Sequence, residues 1–492
     1  MTDLSTVDLV LVFALLTPPL AAGALALVTR RDLVRVAWFN VATMPVSLAA
    51  AVAIALRLAA GGVPVVVGQM WRLDALSALL ALLVSAVATL AVSIGPGLDR
   101  EHHATEAEIR TFRLYANLFA FTMLVAVSTG NLGVMWVAIE ASTVTSVLLI
   151  PLRGTRASVD ASWKYLLIGS VGIALAFTGT VLAYVDYATT GADISLALHW
   201  TTLRDAATAL HPEVARLAFV FLLVGFGTKA GLAPTHTWLP DAHSEAPSPL
   251  SAMMSGVLLA VALYAILRWK AIIDVAVGSG YTDSLLLVVG VTTIAVGSLS
   301  LLSQTRFKRL LAFSSIEHMG LVCFSLALGP LGVFAALLHL TGHALAKSAA
   351  FLLSGRVLQR YGSGEISGAP GLLATAPHTG VLFAASVFAL GGLPPFSLFL
   401  SEILIIQAGW NAGHPAVTGC VLVLLLIAFA SLLVQVHRML FGEAVPGMVR
   451  GERASVPLAL LAVPVLVLGW LGVSIPAPLQ MLLSHAAMTV RP

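Results

Sequence analysis

The sequence predicts an all-α polytopic membrane protein of about fourteen transmembrane helices, and three observations predict it. Hydrophobic residues make up 59% of the chain, charged residues only 10%, and mean hydropathy is +0.98, whereas soluble domains carry about 25% charged residues. Apolar runs repeat between short polar loops almost to the C-terminus, each long enough for the roughly 20 residues that cross hydrocarbon as a helix. Two of the runs also carry glycine and proline at their centres, a disposition that membrane helices accept where backbone lines a cavity.

The runs are centred near residues 18, 46, 84, 120, 141, 173, 224, 258, 294, 318, 344, 392, 427 and 465. Their even number places both termini on one side. With the loops assigned alternately, most basic residues fall on the side of the first loop, among them Arg30, Arg31, Arg153, Arg156, Arg306, Lys308 and Arg309. Arg57, Arg72, Arg204, Arg216, Arg268, Lys270 and Arg491 fall opposite. By the positive-inside rule the first loop is cytoplasmic and both termini are non-cytoplasmic, in a bacterial inner membrane. The first run begins behind acidic residues, with no basic segment and no small-residue cleavage site, which predicts a retained helix.

Several chemistries are excluded. Cys323 and Cys420 stand alone in apolar runs, without the CxxC spacing of a metal or iron-sulfur site. No glycine-rich phosphate loop opens a helix. The net charge of +3 gives no reason to expect nucleic acid. No cofactor is therefore expected in this chain.

The seventh run breaks at Gly231-Leu232-Ala233-Pro234 and the twelfth at Gly392-Leu393-Pro394-Pro395. Proline removes a backbone donor and clashes with the preceding turn, so each helix opens there. The breaks lie five spans apart. An odd separation inverts the direction of corresponding elements, which predicts two inverted five-helix repeats. The resulting division is 1–110 for N-terminal helices, 111–272 and 283–445 for the repeats, and 446–492 for a C-terminal helix.

Ionisable residues inside spans are costly, roughly 3 kcal/mol each on insertion scales, and mark function by default. Lys229 precedes the first break, and Glu402 follows the second. Glu140 lies mid-span between Asn131 and Pro151, and Lys229 or Lys164 is its expected partner. A carboxylate beside an ammonium keeps it charged, and moving the two apart releases the proton. His339, His343 and Lys347 recur every four residues, on one helical face, with steps of about 6 Å that water can bridge. Glu317 and His318 add a carboxylate and an imidazole nearby in sequence. Segment 236–249, HTWLPDAHSEAPSP, carries His236, Asp241, His243 and Glu245, whose spacing fits no helical zinc pattern. It reads as a rigid turn with a proton-entry or loop-ordering role, with His236 as the proton-entry group. His199 and His211 are expected to face water.

On these residues the chain resembles the antiporter-like proton-channel subunits of respiratory complex I, Mrp sodium/proton antiporters and membrane-bound hydrogenases. Glu140, the lysine of GTKAGLAPTHTWLPDAHSEAPSP (Lys229), that of HLTGHALAKSAAFLLSG (Lys347) and the acid of LPPFSLFLSE (Glu402) occur in order. The string LLAFSSIEHMG resembles the hydrogenase-4 component F branch. The resemblance implies two half-channels joined at the midplane, with Glu140 and Lys229 as a modulating pair, Lys347 in a central relay and Glu402 as exit-side acid. It also implies other antiporter-like membrane subunits and peripheral redox subunits as partners. One departure matters: Ala260 stands in the eighth span where relatives commonly carry lysine or histidine, leaving Ser251 and Ser255 or water to bridge Lys229 and Lys347. The chain also ends about sixteen residues after its last span, with no room for a long lateral helix. The expected function is proton translocation within a complex I-like or hydrogenase-4-like oxidoreductase. The alternatives are a Mrp-type sodium/proton antiporter subunit and a non-conducting membrane scaffold.

Overall fold

The computed structural model describes residues 5–29, 33–101, 105–191, 193–445, 447–452 and 455–491. Helix starts follow capping chemistry. Ser5 accepts from the Asp8 amide to open α1 (Thr6–Val28). After α2 (Leu33–Ala59), a hairpin of β1 (Val65–Val67) and β2 (Trp71–Leu73), with Val66 opposite Arg72, leads into α3 (Ala75–Glu101). A reciprocal Thr105–Glu108 capping box opens α4 (Glu106–Ser128), Asn131 caps α5 (Leu132–Val147) and Thr155 caps α6 (Arg156–Thr189).

A connecting segment containing α7 (Trp200–Asp205) reaches α8 (Pro212–Ala230). Beyond a break come α9 (Trp238–Glu245), α10 (Ser248–Met253), a π-helical turn over Met254–Leu258 and α11 (Leu259–Val277). The second half runs through α12 (Ser279–Leu301), α13 (Phe307–Leu326), α14 (Gly329–Tyr361), the short α15 (Leu372–Thr375), α16 (Pro377–Leu390), α17 (Ser397–Asn411) and α18 (Pro415–Leu440). It ends with α19 (Val456–Val473) and α20 (Ala477–Val490).

Among the described residues, twelve helical stretches are long and apolar enough to cross a membrane, and a thirteenth arises if α19 and α20, bent by 79°, count as one. The chain is a multi-pass membrane protein. Where the sequence predicts one span near residue 392, the structure has the two shorter helices α16 and α17 on either side of residues 391–396.

The two ends of the bundle are tied differently. On one, here called the basic face, Arg306 binds Glu245, Arg309 binds Asp241, and Arg356 binds Glu452. On the other, the hairpin face, Thr129 bridges Trp71, Asn131 bridges His199, and Arg491 binds Asp283. The stretch from α10 through Ile273 of α11 is buried among other helices, whereas α18 leaves most of its surface outward.

Two expectations are corrected here. Arg268 and Lys270, expected in a loop, lie buried inside α11. Carboxylates make this tolerable: Arg268 is bidentate to Asp74 at 2.5 and 2.6 Å and stacks on Trp200, and Lys270 reaches Asp283 at 2.8 Å as well as Asp274. His199 is half-buried rather than water-facing, and burial holds its imidazole below the usual value. His211 is exposed as expected, beside Asp186. Beyond α19, residues 477–490 form the short α20, which buries Leu482, Leu483, Ala486 and Val490 and sets His485 Nδ1 3.0 Å from the Leu58 carbonyl.

Candidate functional site

Lys229 sits one residue before the end of α8 and is fully buried. Its ammonium donates to the Thr143 hydroxyl, which donates to Glu140 Oε2 at 3.2 Å. Ser170 donates to the other carboxylate oxygen at 3.3 Å. The Tyr165 ring lies 4.9 Å from the Lys229 ammonium, close enough for a cation–π contact. Space for the lysine comes from Gly169, where a Cβ would stand 2.8 Å from Nζ. Glu140 itself is only partly covered, flanked on α5 by the outward Val137 and Val144.

Lys164 does not join this pair. The sequence places it within a span as an alternative partner for Glu140, but α6 begins at Arg156, so Lys164 lies only two turns from the basic face. Its side chain is 58% exposed and binds Asp241 at 2.8 Å, together with Arg309. His236 lies in the turn between α8 and α9, half-buried, with the Pro234 carbonyl against it.

The first break leaves backbone groups that side chains take up. The Ala233 amide donates to Thr293 Oγ1 at 3.0 Å, and Trp238 Nε1 donates to the Thr228 carbonyl at 2.8 Å. This is the internal satisfaction that irregular backbone requires at membrane depth. At the second break the Leu390 carbonyl lies against His318. Each interruption therefore sets a backbone carbonyl against a histidine.

The second half carries the denser cluster. Glu317, His318, His339, His343 and Lys347 are all buried, on α13 and α14. His318 packs between two rungs of the α14 ladder: its Nδ1 is 2.9 Å from His339 Nε2, and its ring centre is 5.3 Å from that of His343. His339 Nδ1 is 2.9 Å from Ser401 Oγ on α17. Glu317 Oε2 stands 3.7 Å from His318 Nε2. Lys347 donates to the Leu311 carbonyl at 2.7 Å and to the Ser314 hydroxyl.

Glu402, next to Ser401, folds its carboxylate against Gly392 of the break, where any Cβ would collide with it. Gly297 similarly faces Glu317, with a Cβ position 2.7 Å from the Cβ of Glu317. Glycine at 392 admits a carboxylate that an alanine would displace, and at 297 it lets α12 pack directly on the α13 backbone.

Between the halves, Ala260 is buried in α11, and hydroxyls occupy the gap. Ser255 Oγ in the π-helical turn is 2.7 Å from Ser315 Oγ, whose neighbour Ser314 holds Lys347. Ser251 instead donates to the backbone carbonyl of His243 at 3.1 Å.

Sequence reasoning missed His243. It reads as part of a surface turn, yet it is fully buried, stacked on Phe351 with ring centres 5.0 Å apart, and electrostatically coupled to Lys308 and Lys347. Neither ring nitrogen has a hydrogen-bond partner among the described residues. The available signal was the helix-compatible segment Trp238–Glu245 around His243, whose first-turn Pro240 made it read as a turn.

Chemically, imidazole and hydroxyl groups both donate and accept, so the run from His318 through His339 to Ser401 can hand a proton on while remaining bonded. Ammonium and carboxylate groups at its ends can load and unload it. Among the described residues no group of His, Cys, Asp and Glu is arranged to hold a metal ion.

Residues 129–428 match the family described as NADH:quinone oxidoreductase/Mrp antiporter, transmembrane. The chain is 38% identical over 363 residues to a hydrogenase-4 component F homolog of Methylacidiphilum infernorum, covering 74% of this chain and 75% of that protein. It is 29% identical over 346 residues to hydrogenase-4 component B of Escherichia coli, covering 67% of this chain but only 49% of that longer protein. In fold it is similar to a chain of the Mrp complex from Dietzia sp. DQ12-45-1b, with a TM-score of 0.87 at 24% identity, covering 99% and 98% of the two chains.

Proposed function

From the premise that this chain belongs to the NADH:quinone oxidoreductase/Mrp antiporter transmembrane family, we propose that it is a proton-translocating membrane subunit of a complex I-like or hydrogenase-4-like oxidoreductase. The observation that carries this reading is the buried histidine run. His318, His339 and Ser401 are joined at 2.9 Å steps, with Lys347 and Glu317 on one flank and Glu402 on the other. Burying so many titratable groups close together around the bonded His318–His339–Ser401 run is costly as structural glue alone and is what a proton path requires.

In this scheme Glu140 and Lys229 form the modulating pair, changing their separation through Thr143. His236 and His243 bring protons from the basic face, Lys347 receives them, and Glu402 delivers them beyond the second break. Fourteen spans arranged as two inverted five-helix repeats, within 111–272 and 283–445, accommodate the two breaks as corresponding elements. The basic face is cytoplasmic, and both termini lie on the non-cytoplasmic side of an inner membrane. Partners are other antiporter-like membrane subunits and peripheral redox subunits, which supply the driving reaction. The half-exposed Glu140 lies on a lateral face that such a neighbour covers.

A second reading, a non-conducting coupling subunit, rests on Ala260 and the Ser255–Ser315 hydroxyl pair, which place no titratable group between the halves. Proton uptake by proteoliposomes holding the intact complex separates the two. Lys229→Ala and Lys347→Ala each lower driven uptake about tenfold or more if this chain conducts. Unchanged uptake in both variants favours the scaffold.

A further inference from the structure

A cleft of about 840 Å³ opens on the hairpin face. The first turns of α12 line it through Asp283, Ser284, Leu287 and Val288, and the last turn of α17 lines it through Ala408 and Asn411. The turn from α13 into α14, His414 before α18 and Arg491 beyond α20 complete it. Gly280, Ser284 and Val288 recur every four residues and are exposed, Val288 at 61%, on a stripe that continues outward through Thr292. In a membrane-spanning helix such a stripe faces the bilayer, so the cleft is open sideways to it.

From Gly280 to Val288 the lining extends about 12 Å along α12. Its polarity is ordered along that axis. Asp283, Ser284, Asn411, His414 and Arg491 lie at or near the helix ends, whereas Leu287, Val288 and Ala408 lie about one turn further in. A polar head group followed by an acyl chain has the same order.

The charge is complementary as well. Arg491 donates to Asp283 through Nη2, while its Nη1 is buried and has no hydrogen-bond partner among the described residues. Nη1 faces the cleft residue Gly329, where a Cβ would stand 3.7 Å from it. A buried guanidinium N–H left unpaired is costly, and a phosphate oxygen is an acceptor that its geometry suits. The carboxylates of this corner, Asp274 and Asp283, are matched by Lys270 and Arg491, so no net negative charge repels an incoming phosphodiester.

We propose that this cleft is a phospholipid site, with the phosphodiester on Arg491 Nη1 and an acyl chain along Leu287 and Val288. A lipid seated there touches α12, the α13–α14 turn, the end of α17 and the residue after α20, and so pins the terminal helix to the second half. The assignment is independent of whether the chain conducts protons.

The test uses the intact complex in a phosphate-free glycoside detergent, irradiated with phosphatidylglycerol that carries a diazirine in its acyl chain, or with diacylglycerol carrying the same chain. Phosphatidylglycerol is expected to modify Leu287 and Val288 about tenfold more than diacylglycerol does, the difference that one charge-assisted hydrogen bond supplies. Leu422 and Leu426, on the outward face of α18, are modified equally by both and report that each variant is folded. Arg491→Gln lowers the α12 adducts of phosphatidylglycerol about tenfold, and Arg491→Lys retains most of them. Ser284→Trp, which fills the cleft from an exposed position and leaves Arg491 in place, lowers them as well. Equal modification by the two probes, or adducts unchanged in folded Arg491→Gln, overturns the site. Displacement of the probe by inorganic phosphate overturns the lipid in favour of a free anion. Adducts on the isolated chain that are missing from the intact complex overturn it in favour of a partner subunit covering the cleft.

Discussion

Thr143 stands between Lys229 and Glu140, accepting from the ammonium and donating to the carboxylate. The opposite charges therefore communicate through a hydroxyl that can rotate, in place of a locked ion pair. Thr143→Val keeps the shape and removes the hydroxyl, so the buried Lys229 loses the acceptor for its ammonium and the partly covered Glu140 loses a donor. Driven proton uptake is expected to fall about fivefold or more, and Thr143→Ser is expected to restore most of it. Equal uptake in Val and Ser variants would remove Thr143 from the coupling.

Gly392 combines a left-handed φ of 67° with the carboxylate of Glu402 lying where a side chain would begin. Alanine there adds backbone strain of roughly 1 kcal/mol and pushes Glu402 off its seat. Gly392→Ala is expected to reproduce the transport loss of Glu402→Gln while lowering the thermal midpoint only slightly. By contrast Gly413, also left-handed at 82° but with open space around it, should show the strain without the transport loss.

Glu452, in the connection between α18 and α19, offers a pH test outside the spans. Burial works to raise its carboxyl value, but the Thr379 amide and hydroxyl and the Arg356 guanidinium outweigh burial and hold it below the ordinary range. A depressed carboxylate stabilises the docked loop above its unfolded value and loses that contribution as pH falls through the folded one. Proteolysis of the 441–455 connection by an acid-active protease is therefore expected to be flat from neutral pH down to about 5 and to accelerate below about 4. Glu452→Gln should be cleaved faster at neutral pH and show little further acceleration.

Much of this was legible in the chain. Apolar runs of the right length pointed to a multi-pass helical protein, and the spacing of His339, His343 and Lys347 put them on one face, where α14 carries them. Glycine and proline marked both interruptions because backbone sterics are local and residue-specific. What stayed hidden depended on contacts between distant segments. Arg268 and Lys270 looked like loop cations because nothing nearby in sequence announces Asp74 or Asp283. Lys164 looked buried because the length of α6 beyond the apolar run is set by Thr155 and the Asp241 pairing. His243 looked superficial because its cover, Phe351, comes from more than a hundred residues away. The chain's final amphipathic helix escaped because its apolar side is short and meets four different helices.

The Ser255–Ser315 contact sets a tempo. Two hydroxyls in series hold no excess charge, so a proton crosses them only by reversing the orientation of both O–H bonds. Afterwards the pair points the wrong way for a second crossing in the same sense, and must swing back first. On the conducting reading, that resetting rotation is a step that every transfer between the halves must include, and it limits their frequency without setting their direction.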